Sequence, residues 1–405
     1  MVFARAATLG YPNGMQIGKV RRLGDCQNIA EFRALAKRRL PYPVFHYIDG
    51  AADDERTRER NTAAFDEVDL VPDVLVGADR LDTSTTIMGR ETALPLMLSP
   101  TALQRLFHWH GERAVAKVAE RHNLWFGISS LSSVSIEEIG ANYAGPKMLQ
   151  YYYHRDQGLN AALVERARAA KFDAIALTVD TIVSGNRERC KRTGFSTPPR
   201  FTPSNLVSYA LHPGWAVNFL FREKFDLPNL STHLDTGSKA SVSVQDYFNT
   251  MLDPTLDWKK AEKLRDDWGG KFCLKGIMSV SDARRAAQIG VDAIMISNHG
   301  GRQLDGSRAP FDQLAEIVDA VGDRVEVILD GGVRRGTHVL KALATGAKAA
   351  SGGRLYLYAL AAAGEDGVER AVTLLEDEIR RGMQLMGVSR VDQLTPDRLR
   401  RRSRP

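Results

Sequence analysis

The sequence predicts an α/β chain folded as a (β/α)8 TIM barrel, with an N-terminal helical cap and a long insertion after strand 4. Two observations lead there. From about residue 95 onward, short apolar runs alternate with amphipathic helical stretches through eight repeats, the pattern of a closed parallel sheet wrapped in helices. Polar residues able to do chemistry also fall where those runs end, and a barrel of this class carries its active site there.

The apolar runs are Leu96 to Ser99, Leu124 to Ile128, Met148 to Tyr153, Ala174 to Val179, Phe272 to Leu274, Ala293 to Ile296, Val325 to Leu329, and a weaker eighth at Ala349 to Ser351. Helical periodicity fills the gaps at Gly111 to His122, Asn160 to Ala170, Trp258 to Trp268, Ser281 to Ile289, Phe311 to Val321 and Thr337 to Ala344. Residues 1–28 read as an extension, 29–90 as the cap, 91–394 as the barrel and 395–405 as a basic tail. Five arginines between Arg398 and Arg404 make that tail look like a solvated, disordered end.

More than seventy residues separate the fourth strand from Trp258, where a few would suffice, so the insertion is placed at about 182–257. From Phe201 to Phe225 it carries Leu206, Val207, Tyr209, Leu211, Trp215, Val217, Phe219, Leu220 and Phe221, bordered by Arg200, Arg222 and Lys224. Composition alone fits two readings equally: a segment lying in a membrane interface, or a lid packed on its own barrel or on a neighbouring subunit.

Bulk composition narrows the function. The 43% apolar share of 405 residues builds a large core, and no run approaches the roughly 20 apolar residues of a spanning helix. The net charge of +6 is modest and inflated by the terminal arginines. Without a basic face interleaved with aromatic rings, no nucleic-acid partner is expected. Cys26, Cys190 and Cys273 show neither paired nor metal-ligand spacing, and Met1 to Gly10 lacks the apolar core of a secretory signal; a cytoplasmic setting is expected. No metal site is expected either, because His108 and His110 have no second ligand cluster at suitable spacing.

The most informative stretch is Ser297 to Asp305, where a buried run stops at His299, two glycines and Arg302. It delivers a base and an anion clamp to one point, with glycines allowing close approach. A plain strand end with a core histidine and a solvated arginine is the alternative. Four further strand ends weigh against it: Gln150 and Tyr152 in strand three, Thr178 and Asp180 at strand four, Lys275 at strand five and Asp330 at strand seven. Asp330-Gly331-Gly332-Val333-Arg334 before a helix, and Gly352-Gly353-Arg354 after strand eight, offer bared N–H groups and arginines to a phosphate. A phosphorylated cofactor is expected.

These motifs, together with Tyr47 in Phe45-His46-Tyr47-Ile48-Asp49-Gly50-Ala51, Pro100-Thr101-Ala102, Ile128-Ser129-Ser130, Leu149-Gln150-Tyr151-Tyr152, Leu177-Thr178-Val179-Asp180-Thr181 and Leu274-Lys275-Gly276, closely resemble the FMN-dependent 2-hydroxy acid oxidase and dehydrogenase family. That family includes glycolate oxidases, L-lactate dehydrogenases and mandelate dehydrogenases, and the resemblance runs from about Ile29 to Leu394. It implies FMN as cofactor, a 2-hydroxy acid as substrate and a homotetramer. It implies His299 as the base and Asp180 as the group that charge-balances the imidazolium, in accord with histidine's titration near neutrality. Arg302 and Tyr47 would hold the substrate carboxylate, Arg187 would be the second arginine of the pocket, and Tyr152 would hydrogen-bond the 2-hydroxyl. Lys275 would stabilise negative charge on the flavin. Pro100, Thr101, Ala102, Ser129, Gln150, Thr178 and Ser297 fall to the flavin ring, and Asp330, Gly331, Gly332, Arg334, Gly353 and Arg354 to the ribityl and phosphate.

Two departures stand out. Small residues at Ala349 to Gly352 replace a branched apolar strand eight and predict a thin strand, and Phe107 to His110 place bulky rings at the lip of the site. Leu131 stands where glycolate oxidases tend to carry an aromatic, which favours L-lactate, then mandelate or another larger acid. The insertion resembles that of bacterial membrane-associated lactate and mandelate dehydrogenases. It thereby implies a quinone or another electron acceptor and a peripheral place on the inner face of the cell membrane. The alternatives are a soluble oxidase using O2, a flavin-barrel isomerase, and a flavin-binding barrel without turnover. The last two have no use for an anion clamp beside a base.

Overall fold

The computed structural model describes residues 20–77, 80–196, 202–230 and 249–402. The cap begins with α1 (Ile29–Arg39), started by the Asn28 side chain accepting from the Glu31 N–H, and continues through α2 (Tyr42–Asp49) and α3 (Arg56–Ala63) to β1 (Val68–Leu70). A hairpin of β2 (Thr85–Ile87) and β3 (Arg90–Thr92) follows. The barrel then runs β4 (Leu96–Thr101), α4 (Glu112–Arg121), β5 (Trp125–Ser129), α5 (Ile136–Asn142), β6 (Lys147–Tyr151), α6 (Gln157–Ala169) and β7 (Ala174–Thr178). Within the insertion lie α7 (Glu188–Arg192), α8 (Pro203–Ala210) and α9 (Pro213–Phe221). The chain resumes with α10 (Trp258–Trp268), β8 (Lys271–Lys275), α11 (Val280–Gln288), β9 (Ala293–Ile296), α12 (Pro310–Val321), β10 (Glu326–Asp330), α13 (Gly336–Ala344), β11 (Ala349–Gly352), α14 (Arg354–Leu385) and β12 (Leu399–Arg401). Strands β4 to β11 close an all-parallel barrel, β11 pairing back to β4, as the eightfold repeat predicts.

Side chains alternate along each strand, and this sorts the barrel interior by height. Met97, Trp125, Met148, Ala176, Cys273, Met295, Ile328 and Ala349 form one buried apolar cluster in the lower half. Two residues further along the same strands stand Ser99, Gly127, Gln150, Thr178, Lys275, Ser297, Asp330 and Ser351. The strands thus carry an apolar floor and, save at Gly127, a polar upper layer.

Two expectations gain detail and a third is corrected. The cap is not wholly helical: Ile87 and Met88 of the β2–β3 hairpin join the apolar floor and plug the barrel from below, each burial contributing about 1.5–3 kcal/mol. Strand eight is thin but ordered, because β11 pairs on both edges and Ala349 shares its cluster with Trp125 and four methionines that supply the missing volume. The basic tail is not a free end up to Arg402. β12 pairs antiparallel with β1, and Arg398 and Arg402 reach Asp73 and Asp69.

The insertion has two faces. Tyr209, Trp215 and Phe219 stack in series at 5.2 and 5.0 Å, and the Trp215 indole N–H donates to the Leu106 carbonyl at 2.7 Å, so α9 is fastened to the loop after β4. Leu206, Val207, Leu211, Val217, Leu220 and Phe221 are exposed. The remainder of the expected insertion, including Arg200 and Phe201, lies partly at 197–201 and 231–248, outside the described residues.

Cap and barrel are joined at one buried carboxylate. Asp49 on α2 accepts from Arg33 of α1 at 2.9 Å, Arg189 of α7 at 2.8 Å and the Tyr358 hydroxyl of α14 at 2.8 Å, with Arg58 of α3 at 3.5 Å. Burial alone would raise its pKa, but the Arg33 hydrogen bond and the surrounding arginines hold it far below the carboxylate range. Asp49→Ala leaves these cations unbalanced and is expected to cost about 3–5 kcal/mol, read as a large fall in Tm. Asp392→Ala, which removes an exposed pair with Arg390, should leave Tm unchanged. Equal Tm values for the two variants would refute the assignment.

Candidate active site

The barrel's C-terminal mouth opens into a cleft of about 950 Å³ counted to its entrance. Its floor is the polar layer. Lys275 Nζ lies 3.0 Å from Asp330 and 3.2 Å from Ser297 Oγ, and Ser297 in turn donates to Asp330 at 2.8 Å. Burial alone would lower the lysine and raise the aspartate, but their mutual attraction prevails and both stay charged. Gln150 Nε2 donates to Thr178 Oγ1 at 2.6 Å beside them.

His299 stands above this floor with φ of 57°, a left-handed conformation in which its N–H reaches Ser297 Oγ at 3.2 Å. Its Nδ1 is 3.2 Å from Asp180 Oδ1. A carboxylate can only accept, so Nδ1 carries the proton and Nε2 presents its lone pair. Burial lowers the pKa of His299 more than Asp180 raises it, which keeps the ring neutral and basic at pH 7. Asp180 fits here because Gly276 has no side chain: a Cβ there would lie 2.8 Å from the Asp180 Cβ. The Tyr152 phenol is buried and pushed up to about 12, so it remains a donor at neutral pH.

One wall is cationic. Arg302 anchors Nη1 on the carbonyls of Tyr47 at 2.6 Å and Gly50 at 2.9 Å, with its guanidinium 4.8 Å over the Tyr47 ring. Arg187 is buried nearby, with Nη2 3.4 Å from Gln303 Oε1; burial and then Arg302 lower it to about 10. Two guanidiniums that repel each other in a closed wall suit a bidentate anion such as a carboxylate.

The far end suits a phosphate. Gly331, Gly332, Gly353 and Arg334 line it, and a Cβ on Gly353 would meet the Thr101 methyl at 2.7 Å. Arg354 is lowered to about 9 by burial, with Arg302, Arg334 and Arg58 adding to the shift, so positive potential concentrates there. Its nitrogens donate to Ile48, Gly300 and Gly50 carbonyls at 2.7–2.8 Å, so it also ties the cap to the loop after β9. The donor set fits FMN: a cationic glycine-lined end for phosphate, and Pro100, Thr101, Ala102, Gln150 and Lys275 along one wall for a planar ring.

The cleft also brings in Tyr47, Tyr152, Arg187, His299, Arg302 and Asp330 of the residues singled out from sequence. Asp180, Ser129, Thr178 and Ser297 stand behind the lining. The first orients His299, Ser129 Oγ accepts from the Leu131 N–H at 3.1 Å, and the other two brace Gln150 and the Lys275–Asp330 pair. Sequence reasoning missed Ser99, Ile48 and Leu357 in the lining, and Phe195, which stacks on Tyr47 at 4.2 Å. Only the two-residue step from Met97 to Ser99, matching that from Cys273 to Lys275, signalled any of them. Of the bulky rings at the lip, Phe107 does enter the cleft, stacked 6.2 Å from Tyr47.

Known proteins are similar to this chain in sequence and fold. The family described as FMN-dependent dehydrogenase matches residues 36–401. The L-lactate dehydrogenase of Alcaligenes faecalis is 39% identical over 375 residues, covering 91% of this chain and 97% of that protein. The L-lactate oxidase of a Nostoc species is 38% identical over 371 residues, covering 91% and 96%. Among solved structures, the monotopic membrane protein (S)-mandelate dehydrogenase superposes with a TM-score of 0.87 at 32% identity, covering 93% of this chain and all of that one. A mandelate oxidase gives 0.80 at 36% identity, covering 93% and 98%. A barrel mouth holding a neutral histidine beside paired arginines, in a chain with these relatives, belongs to the FMN-dependent dehydrogenase family, as an FMN-dependent oxidoreductase of 2-hydroxy acids.

Proposed function

We propose that the chain oxidises L-lactate to the 2-oxo acid at a membrane surface and passes the electrons to a quinone, assembled as the homotetramer that the family resemblance implies. The observation that carries the chemistry is the Asp180–His299 pair opening beside Arg187 and Arg302 in one cleft. FMN, when bound, takes up the two electrons leaving the substrate. Arg302, Arg187 and Tyr47 hold the carboxylate, the guanidinium forks fixing the acid's orientation. Tyr152 donates to the 2-hydroxyl, His299 Nε2 receives the substrate proton, and Asp180 balances the imidazolium. Lys275 supplies fixed positive charge along the flavin wall, and Arg334, Arg354 and the flanking glycines hold the phosphate.

L-lactate is supported by the names of the Alcaligenes and Nostoc relatives. A larger acid such as mandelate is the second reading, favoured by the structural neighbours and by Leu131 rather than an aromatic ring in the lining. The membrane surface is supported by the exposed apolar side chains of α8 and α9 and by the monotopic neighbour. Among the described residues no helix is long and apolar enough to cross a membrane. A soluble oxidase using O2 is the competing outcome.

Anaerobic stopped-flow with L-lactate tests the chemistry. The yellow wild-type protein should bleach, and His299→Gln should keep its flavin but reduce it about a hundredfold or more slowly. Because the free base is the active form and burial lowers its pKa, the wild-type rate should rise with pH along a limb lying below the ordinary histidine value and then stay level. A loss below about tenfold in the variant would remove His299 from this role.

Arg302→Lys keeps the charge but not the planar fork, so kcat/KM should fall about tenfold to a hundredfold, the worth of one charged hydrogen bond. Unchanged kinetics would dismiss the carboxylate clamp. Replacing Val217, Leu220 and Phe221 together by Asp should abolish flotation with anionic vesicles while flavin reduction stays the same. A wild-type protein that never floats would favour the soluble oxidase.

A further inference from the structure

A second cavity lies beside the catalytic cleft, between the end of α1, the loop after β4, α9 and the middle of α14, and it too encloses about 950 Å³ counted to its mouth. Its walls include the rings of Phe107, Trp109, Trp215 and Phe219 and the guanidinium-bearing side chains of Arg38, Arg39 and Arg105, with His108, His212 and Asn218 between them. One side chain, Phe107, lines both cavities.

The rings are held in place. Trp215 is tied to Leu106 and lies nearly parallel to Phe219, while Arg222 sits 4.6 Å over Trp109. Ala361 and Ala362 of α14 form part of the wall, just before Ala363 and Gly364 leave helical dihedrals, and a Cβ on Gly364 would come within 2.4 Å of His108. Arg105 is engaged with the Glu223, Lys224 and Ser133 carbonyls and Arg38 with that of Val20. Arg39 makes no hydrogen bond or ion pair among the described residues and remains available as a donor. At the mouth stands Leu211, 73% exposed, at the edge of the apolar face that α8 and α9 turn outward.

Aromatic walls select a flat ring, an available guanidinium selects a carbonyl oxygen, and an apolar mouth selects a hydrophobic tail. We propose that this cavity binds the quinone-class electron acceptor, its ring against the Trp215–Phe219 stack, its carbonyl accepting from Arg39 and its tail leaving past Leu211. The inference rests on the electron transfer described above and gives it a place: Phe107 lines both the acceptor's cavity and the catalytic cleft. The reaction balances, since the 2-hydroxy acid loses two electrons and two protons in becoming the 2-oxo acid, and the quinone gains two of each in becoming the quinol. A phospholipid headgroup would use the arginines but not four rings.

The FMN-loaded protein tests this with a tail-less benzoquinone, and two variants touch only the second cavity: Asn218→Trp, which fills it, and Arg39→Gln, which removes the donor. In the wild type the quinone should reoxidise the lactate-reduced flavin and should quench the fluorescence of Trp109 and Trp215 saturably. In both variants reduction by L-lactate should be unchanged, reoxidation by the quinone about tenfold slower or worse, reoxidation by a small dye unchanged, and saturable quenching weakened. Wild-type kinetics and quenching in both variants would overturn the proposal, as would displacement of the quinone by quinone-free anionic vesicles. Failure of any 2-hydroxy acid to reduce the flavin would instead strike the catalytic reading, and the quenching measurement would still report on the cavity.

Discussion

Everything at the barrel mouth depends on the ion pair between Lys275 and Asp330, 3.0 Å apart and almost fully buried. At an effective dielectric near 20 their attraction is worth about 5 kcal/mol, while removing two charges from water costs several kcal/mol each. The pair therefore adds little net stability. What it provides is fixed charge at a known height: Ser297 bridges the two, and the same hydroxyl receives the His299 N–H, so His299 is hung from the ion pair. The left-handed backbone at His299, unfavourable for a residue with a side chain, is held by that contact and by Asp180.

The cap completes the site rather than merely covering it. Asp49 gathers arginines from α1, α3 and α7 and a tyrosine from α14, and two residues before it on α2 lies Tyr47. The same junction places α7, which starts one residue after Arg187, against the cap. Tyr47 and Arg187 thus both reach the cleft from elements joined at one buried carboxylate. Arg302 and Arg354 reinforce the join by donating to cap carbonyls, so two cleft-lining cations and the position of the cap are coupled.

The insertion shows how one segment can serve two purposes. Its helices are too short to stand alone and are fastened by Trp215 and the stacked rings. Their remaining apolar side chains stay outward, where solvent alone would not favour a cluster of this kind. A pocket of rings and arginines results on the inner side, sharing Phe107 with the catalytic cleft.

The barrel itself was legible in the sequence, because eight apolar runs at βα spacing allow few other arrangements, and all eight strands form within a residue or two of their predicted ends. His299, Lys275 and Asp330 were legible for the same reason: a polar residue ending a buried strand points to the mouth. Contacts between distant segments were not. Nothing local marks Phe195 as a partner of Tyr47, Asp49 as the junction, or Ile87 and Met88 as the plug, because each is defined by what arrives from elsewhere in the chain. The arginine-rich end misled for a related reason, since its charge pattern suggests solvent until Asp69 and Asp73 are seen opposite it. Periodicity and strand-end chemistry, which act over a few residues, were set by the sequence alone. Which of the marked residues line the cleft, which stand behind it, and where a second cavity opens were decided by packing across hundreds of residues.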